Sequence, residues 1–177
     1  HFDRIELKKG KREFISHTGY MGSRRITVLS TGIGTDNIDI VFNELDALVN
    51  IDFSTRIVKP TLKSLNIIRI GTSGAVQEDI PVGSIMVSEY GIGLDSLMQY
   101  YLHQLSGDEH MILDAIKSHF HHFKGILPYI TAADPDLLET IGKGIERGIT
   151  VTAPGFYAPQ GRLVRAKASF PGLIDDI

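Results

Sequence analysis

The sequence contains no cysteine, so neither a disulfide nor a thiolate nucleophile is available to it. It has no run of about 18 apolar residues, which removes a membrane-spanning helix from consideration. No signal-peptide pattern is visible. An excess of one charge is missing too: 18 Lys and Arg against 21 Asp and Glu leave a net −3. No face is obviously basic, so neither nucleic acid nor an acidic membrane is a favoured partner. Internal repeats and low-complexity tracts are absent. What remains is 177 residues, 42% hydrophobic and 22% charged, the size and balance of one ordinary soluble domain with a core of its own. That composition fits a cytoplasmic enzyme. The ends suggest a longer parent chain: His1-Phe2-Asp3 has no Met, and Phe170 to Ile177 reads as the approach to further structure.

Strands and helices alternate along the chain. Glu13 to Met21 reads as an extended strand, and Ile26 to Ser30 is a short β-rich run ended by Thr31-Gly32-Ile33-Gly34. Ile38, Val41, Phe42, Leu45 and Leu48 then recur at helical spacing, with Asp36 as the expected N-cap and Asp39 suited to the positive helix end. Ile67 to Ile70 is the next expected strand, followed by a small-residue turn, Gly71 to Gly74. A further apolar run covers Ser84 to Val87. Glu109 to Phe120 reads as a helix burying Ile112, Ala115, Ile116 and Phe120. Asp134-Pro135 opens another, with Leu137, Leu138, Ile141 and Ile145 as its stripe. Ile149 to Thr152 closes the series as a strand. The order predicts an α/β fold: a mixed, largely parallel central sheet flanked by helices. In such sheets ligands bind in the loops beyond the strand ends.

Two glycine turns therefore attract interest. Ser30 to Thr35 has small residues between a strand and a helix, where the backbone can approach an anion. It lacks the third glycine of a dinucleotide fingerprint and the Gly-Lys-Ser/Thr of a P-loop. On its own it reads best as a tight connection. The second turn, Arg69-Ile70-Gly71-Thr72-Ser73-Gly74, places an arginine inside an apolar strand, which is costly unless the charge is paired or meets a ligand. A guanidinium matches phosphate oxygens, and the two hydroxyls and the turn amides would complete an oxyanion pocket. An ion pair with Glu78 or Asp79 explains the arginine equally well. Other clusters read as structural. His119, His121 and His122 point apart on a helix end, Asp134 is a cap, Tyr100-Tyr101 belongs to a core or an interface, and Asp175-Asp176 is a polar turn.

These motifs in order resemble the nucleoside phosphorylase superfamily, in its hexameric and dimeric branch. The resemblance rests on Lys11-Arg12-Glu13-Phe14, on Ser30 to Gly34, on Arg69 to Ala75, and on Phe156-Tyr157-Ala158-Pro159-Gln160-Gly161-Arg162, which is similar to the base-binding loop of uridine phosphorylases. It covers nearly the whole chain, and it implies a three-layer α/β/α domain that is incomplete at both ends. It implies that Arg69 and Thr72 bind phosphate, with Thr72 also near the ribose, and that Arg12 reaches the phosphate in a neighbouring subunit's site. Gly74 would line the base pocket and Phe156 would pack near sugar or base. Gln160 and Arg162 would read uracil, whose two carbonyl oxygens and N3–H match an amide and a guanidinium. Some relatives hold potassium between subunits, and Glu13, Ile33 and Asn37 fall at those positions, Asn37 in place of the usual serine.

The activity so implied is reversible phosphorolysis of uridine to uracil and ribose 1-phosphate by a homo-oligomer, a dimer or a trimer of dimers, with shared sites. Uridine, uracil and phosphate are its partners, without nucleic acid or membrane. No cofactor is needed for the chemistry. The alternatives are a related purine-nucleoside phosphorylase or nucleosidase, and a nucleoside-binding module without catalysis. The family's N-terminal G-x-P-x-R phosphate loop and its Met-Glu ribose segment are not found in these residues, so the isolated chain is expected to be nearly inactive. Val49 to Leu65 is longer than the usual connection, and it either modifies a subunit interface or covers the site.

Overall fold

The computed structural model of the chain describes residues 1–120 and 124–175. The chain divides into two compact units, His1–Leu65 and Asn66–Ile177. Among the described residues no helix is long and apolar enough to cross a membrane.

The first unit begins with an antiparallel meander, β1 (Arg4–Lys11), β2 (Phe14–Met21) and β3 (Arg24–Ser30). Both connections are two-residue turns, fixed by the pairs Lys11 with Phe14 and Met21 with Arg24. Such tight hairpins favour a positive φ at the first turn residue. Gly22 provides it at the second turn with φ 59°, and Arg12 adopts it at the first with φ 56°. Helix α1 (Thr35–Asn50) follows. Its N-cap is Gly34, with no side-chain capping bond, so Asp36 lies within the first turn rather than at the cap expected for it. There it still faces the positive helix end. Beyond α1 comes a short hairpin, β4 (Ile51–Asp52) with β5 (Ile57–Val58). Buried Asn50 closes its base: its amide nitrogen donates to the Lys63 carbonyl at 3.1 Å, and its oxygen accepts from the Lys63 N–H at 2.7 Å. The long connection is thus a tied hairpin loop.

The second unit opens with residues 66–75, which join no strand ladder. The strand expected at Ile67–Ile70 is therefore absent. β-branched residues suit a strand, but a strand exists only where a neighbour satisfies its N–H and C=O groups. Strand β6 (Met86–Gly93) is the centre of the unit's sheet, antiparallel to β7 (Tyr129–Ala132) and parallel to β8 (Glu146–Thr152). This is the one parallel pairing among the described residues, so the largely parallel central sheet is corrected to three small sheets, mostly antiparallel. The α/β character holds, with three α-helices among the described residues.

Helices α2 (Gly107–His119) and α3 (Pro135–Ile141) complete the unit. Asp134 caps α3 as expected, its carboxylate accepting from Leu137 N at 2.9 Å. The core forms around Ile130, fully buried, with Ile92, Leu94, Leu113, Phe120 and Leu173. Leu113 rather than Ala115 turns inward from α2. Tyr100 and Tyr101 are exposed, which removes their core reading. Gly93 has a steric role: a Cβ there would lie 2.1 Å from the Tyr129 ring, whose hydroxyl donates to Asp95.

Helix α2 starts earlier than the apolar pattern suggested, because Ser106 and Glu109 form a capping box. The buried Glu109 carboxylate accepts from Ser106 N at 2.7 Å and from Ala132 N at 2.8 Å, tying α2 to β7. The Ser106 backbone and side-chain hydrogen bonds, in that order, hold its pKa below the ordinary 4.5. A depressed carboxylate pKa stabilises the fold above the unfolded value, and that stabilisation is lost as pH falls through the folded one. Glu109→Gln should therefore destabilise at pH 7, by about 1–3 kcal/mol from one lost charge-assisted bond. The gap from wild type should shrink as pH drops below 4.5, a comparison made by urea unfolding at several pH values.

Candidate functional site

Three sets of predicted residues can be followed in the structure. The first lies at the β3–α1 turn. Gly32 has φ 69°, and a Cβ on it would lie 2.7 Å from Asn37 Nδ2 and 2.9 Å from Glu13 Cγ. Only a glycine lets these side chains close over the turn. Asn37 is buried and donates through Nδ2 to the Ile33 carbonyl at 3.3 Å. Glu13, Ile33 and Asn37 are thus brought together around one glycine. A carboxylate, a carbonyl and an amide are oxygen donors of the kind alkali and alkaline-earth cations take. Among the described residues, no group of three or more His, Cys, Asp or Glu could hold a metal ion. The single carboxylate here suits a monovalent ion better than a divalent one. His121 and His122 lie outside the described residues.

Arg12 stands at the tip of the β1–β2 hairpin, exposed and in a left-handed conformation that most side chains avoid. The equivalent place in the next hairpin is a glycine, Gly22. Holding a non-glycine residue there costs about 1 kcal/mol, and residues kept at such a cost concentrate at functional positions.

The second set is the turn after Ile70. Arg69 is exposed, so it carries no burial cost, contrary to the strand-interior position expected for it. Its guanidinium folds back over the turn: a Cβ on Gly71 would lie 3.1 Å from Nη1 and 3.2 Å from Nη2. Among the described residues Arg69 makes no ion pair, so neither Glu78 nor Asp79 accounts for it. Thr72, Ser73 and Gly74 are exposed beside it, and open space surrounds the Gly74 Cα. Guanidinium, hydroxyls and backbone amides are therefore all available to an anion.

The third set is the most fully built. Residues 155–162 fold into a compact loop around a short 3-10 turn, Ala158–Gln160. The Tyr157 carbonyl accepts from Gln160 N at 2.9 Å and Arg162 N at 3.0 Å, and Gly161 at φ 69° lets the chain reverse. Gln160 Nε2 donates to the Gly155 carbonyl at 3.0 Å. Arg162 Nη1 donates to the Phe156 carbonyl at 2.9 Å and to Gln160 Oε1. The guanidinium carbon sits 4.3 Å from the Phe156 ring centroid, and Tyr157 meets that ring edge-on at 5.4 Å. Phe156, Gln160 and Arg162 therefore form one cluster. Both Nη1 hydrogens are used within the loop, leaving Nε and Nη2 to donate outward. The Gln160 amide keeps one N–H and one acceptor lone pair. Sequence reasoning missed the part of Tyr157, whose carbonyl closes the loop; its place beside Phe156 was the available sign.

Two open hollows, of about 310 and 260 Å³, lie near the last turn of α2 around Gln99, Lys117 and Pro128, and none of the predicted site residues lines them.

Residues 1–175 match the Phosphorylase superfamily. A uridine phosphorylase of Haemophilus influenzae is 32% identical over 100 residues, 56% of this chain and 34% of that protein. One from Thermococcus kodakarensis is 26% identical over 151 residues, 85% of this chain and 44% of that protein. The chain thus spans between a third and a half of the length of these curated relatives. A solved nucleoside phosphorylase of Trypanosoma brucei, described as showing uridine phosphorylase activity, superposes with a TM-score of 0.81 at 27% identity, over 98% of this chain and 64% of that one.

The conformation of Arg12 gives a test that separates stability from function. Arg12→Gly should change the unfolding free energy by less than about 1 kcal/mol, because relieved strain offsets the greater freedom of glycine in the unfolded chain. A clear loss of stability in thermal unfolding would show that Arg12 is there for the fold.

Proposed function

Because the chain belongs to the phosphorylase superfamily, we propose that the whole protein catalyses the reversible phosphorolysis of uridine, and that its two units are parts of one such domain. The observation that carries this reading is the loop of Phe156, Gln160 and Arg162, with outward donors on Arg162 and a donor–acceptor amide on Gln160. Uracil offers O2 and O4 as acceptors and N3–H as a donor, a complementary set.

In the reaction a phosphate oxygen forms a bond to C1′ while the C1′–N1 bond breaks. The electron pair of that bond passes into the uracil ring and onto O2 and O4, and the uracil anion takes up the proton that monohydrogen phosphate gives up on forming the ester. The sugar gains oxocarbenium character on the way, as in glycoside hydrolysis. Arg69 and Thr72 hold phosphate beneath C1′, with Arg12 contributed to the site of an adjoining subunit. Gly74 leaves room for the base. Arg162 and Gln160 donate to oxygens whose charge grows toward the transition state, so their hydrogen bonds strengthen when they matter most. The Phe156 ring and carbonyl fix the guanidinium beforehand, which removes the cost of reorienting it during the reaction. Glu13, Ile33 and Asn37 would hold a monovalent cation, such as potassium, in a structural role.

The experiment is kinetic. With the whole protein, Arg162→Ala should lower kcat for uridine by about 10²–10³, the usual loss when one oxyanion donor is removed. Fluorescence or calorimetric binding of phosphate should be unchanged. A near-wild-type rate would take Arg162 out of the mechanism.

A further inference from the structure

The near-neutral total charge conceals a local concentration. Four of the 18 lysines and arginines fall within residues 8–12: Lys8, Lys9, Lys11 and Arg12. The hairpin gathers them at one tip, with Lys11 opposite Phe14, Lys9 opposite Ser16 and Lys8 opposite His17. Strand alternation puts Lys9 and Lys11 on one face and Lys8 on the other, with Arg12 at the apex. All four are exposed. Among the described residues none of them is in an ion pair. The carboxylate on the same strand, Glu6, is occupied by Arg25 at 2.7 Å and Arg4 at 3.6 Å. Glu13, at the turn itself, leans back against Gly32. This tip is a local exception to the expectation that no face is obviously basic.

Lysines scattered over a surface are ordinary. Four cations outside any ion pair among the described residues, against the single carboxylate of Glu13, leave a net positive field at the tip over roughly a Debye length, about 8 Å at physiological salt. The apex residue is the one assigned above to phosphate, and it is held in a conformation glycine would take more readily. We propose that Lys8, Lys9 and Lys11 form an electrostatic collector for phosphate dianions, raising their local concentration at the site that Arg12 completes. This rests on the phosphorolysis reading. Such fields act on charged reactants and leave neutral ones alone. The ligand chemistry is the phosphate dianion, whether inorganic phosphate in one direction or the sugar phosphate in the other.

The test is the triple variant Lys8→Gln, Lys9→Gln, Lys11→Gln in the whole protein. At low salt its KM for inorganic phosphate should rise about 3–10-fold, with kcat and the KM for uridine unchanged. In the reverse direction the KM for ribose 1-phosphate should rise alike, and that for uracil should not. The difference from wild type should shrink in 0.5 M salt, where screening shortens the field. A salt-independent phosphate KM in the wild type would overturn the proposal without any variant, as would an equal rise in the uridine KM. If the wild type does not consume phosphate, the phosphorolysis reading has failed. The collector is then judged by amide NMR of this chain titrated with inorganic phosphate at low salt. Shifts at residues 9–13 that vanish in the triple variant support it, and no shifts there refute it.

Discussion

The guanidinium of Arg162, held against the Phe156 ring and bonded to the Phe156 carbonyl and Gln160, is the contact on which the functional account depends. An exposed arginine ordinarily samples many rotamers, and a ligand must select one of them at an entropic cost. Here the aromatic face, one carbonyl and one amide select it in advance. The same contacts orient Gln160, because its two ends are engaged from opposite sides, by Gly155 and by Arg162. A loop of eight residues, 155–162, thus presents a fixed donor–acceptor edge, made possible by the reversal at Gly161.

The turn at Arg69, proposed to hold phosphate, is built on a different principle. Arg69 lies over Gly71 without an ion pair among the described residues, and Thr72 to Gly74 stand exposed beside it. Among the described residues none of these side chains is bonded internally, so their donors are available to an anion instead of being fixed against neighbours. Arg12 and the lysines before it form a separate cluster of positive charge at the hairpin tip of the first unit. On the proposed reading the loop 155–162 supplies rigidity and the exposed cations supply charge. That division suits a reaction in which phosphate must be gathered and a neutral base must be recognised.

Much of this was legible because short-range rules dominate the relevant segments. The β3–α1 connection could be read from its glycines, and α3 from Asp134-Pro135. The 155–162 loop stood out only through the resemblance of Phe156 to Arg162 to a base-binding loop, since its polar residues by themselves read as an ordinary solvated loop. The failures have equally local causes. Residues 67–70 have strand composition, but pairing depends on a neighbour, which composition cannot supply. Strand β1 alternates only briefly, at Ile5 and Leu7, before the charged stretch Lys8 to Lys11, which gives a weak strand signal. The start of α2 depends on Ser106 and Glu109, polar residues that an apolar pattern ignores. The parallel sheet was inferred from element order alone, whereas direction depends on crossovers that order does not fix. Local basicity at Lys8–Arg12 was hidden by averaging charge over the chain.

The most direct test follows phosphorus. The whole protein is incubated with uridine and inorganic phosphate and followed by phosphorus NMR and ultraviolet absorbance. The account predicts a new sugar-phosphate resonance that grows in step with uracil, and no reaction when phosphate is left out. Release of uracil with the phosphate signal unchanged, or turnover of inosine in place of uridine, would contradict it.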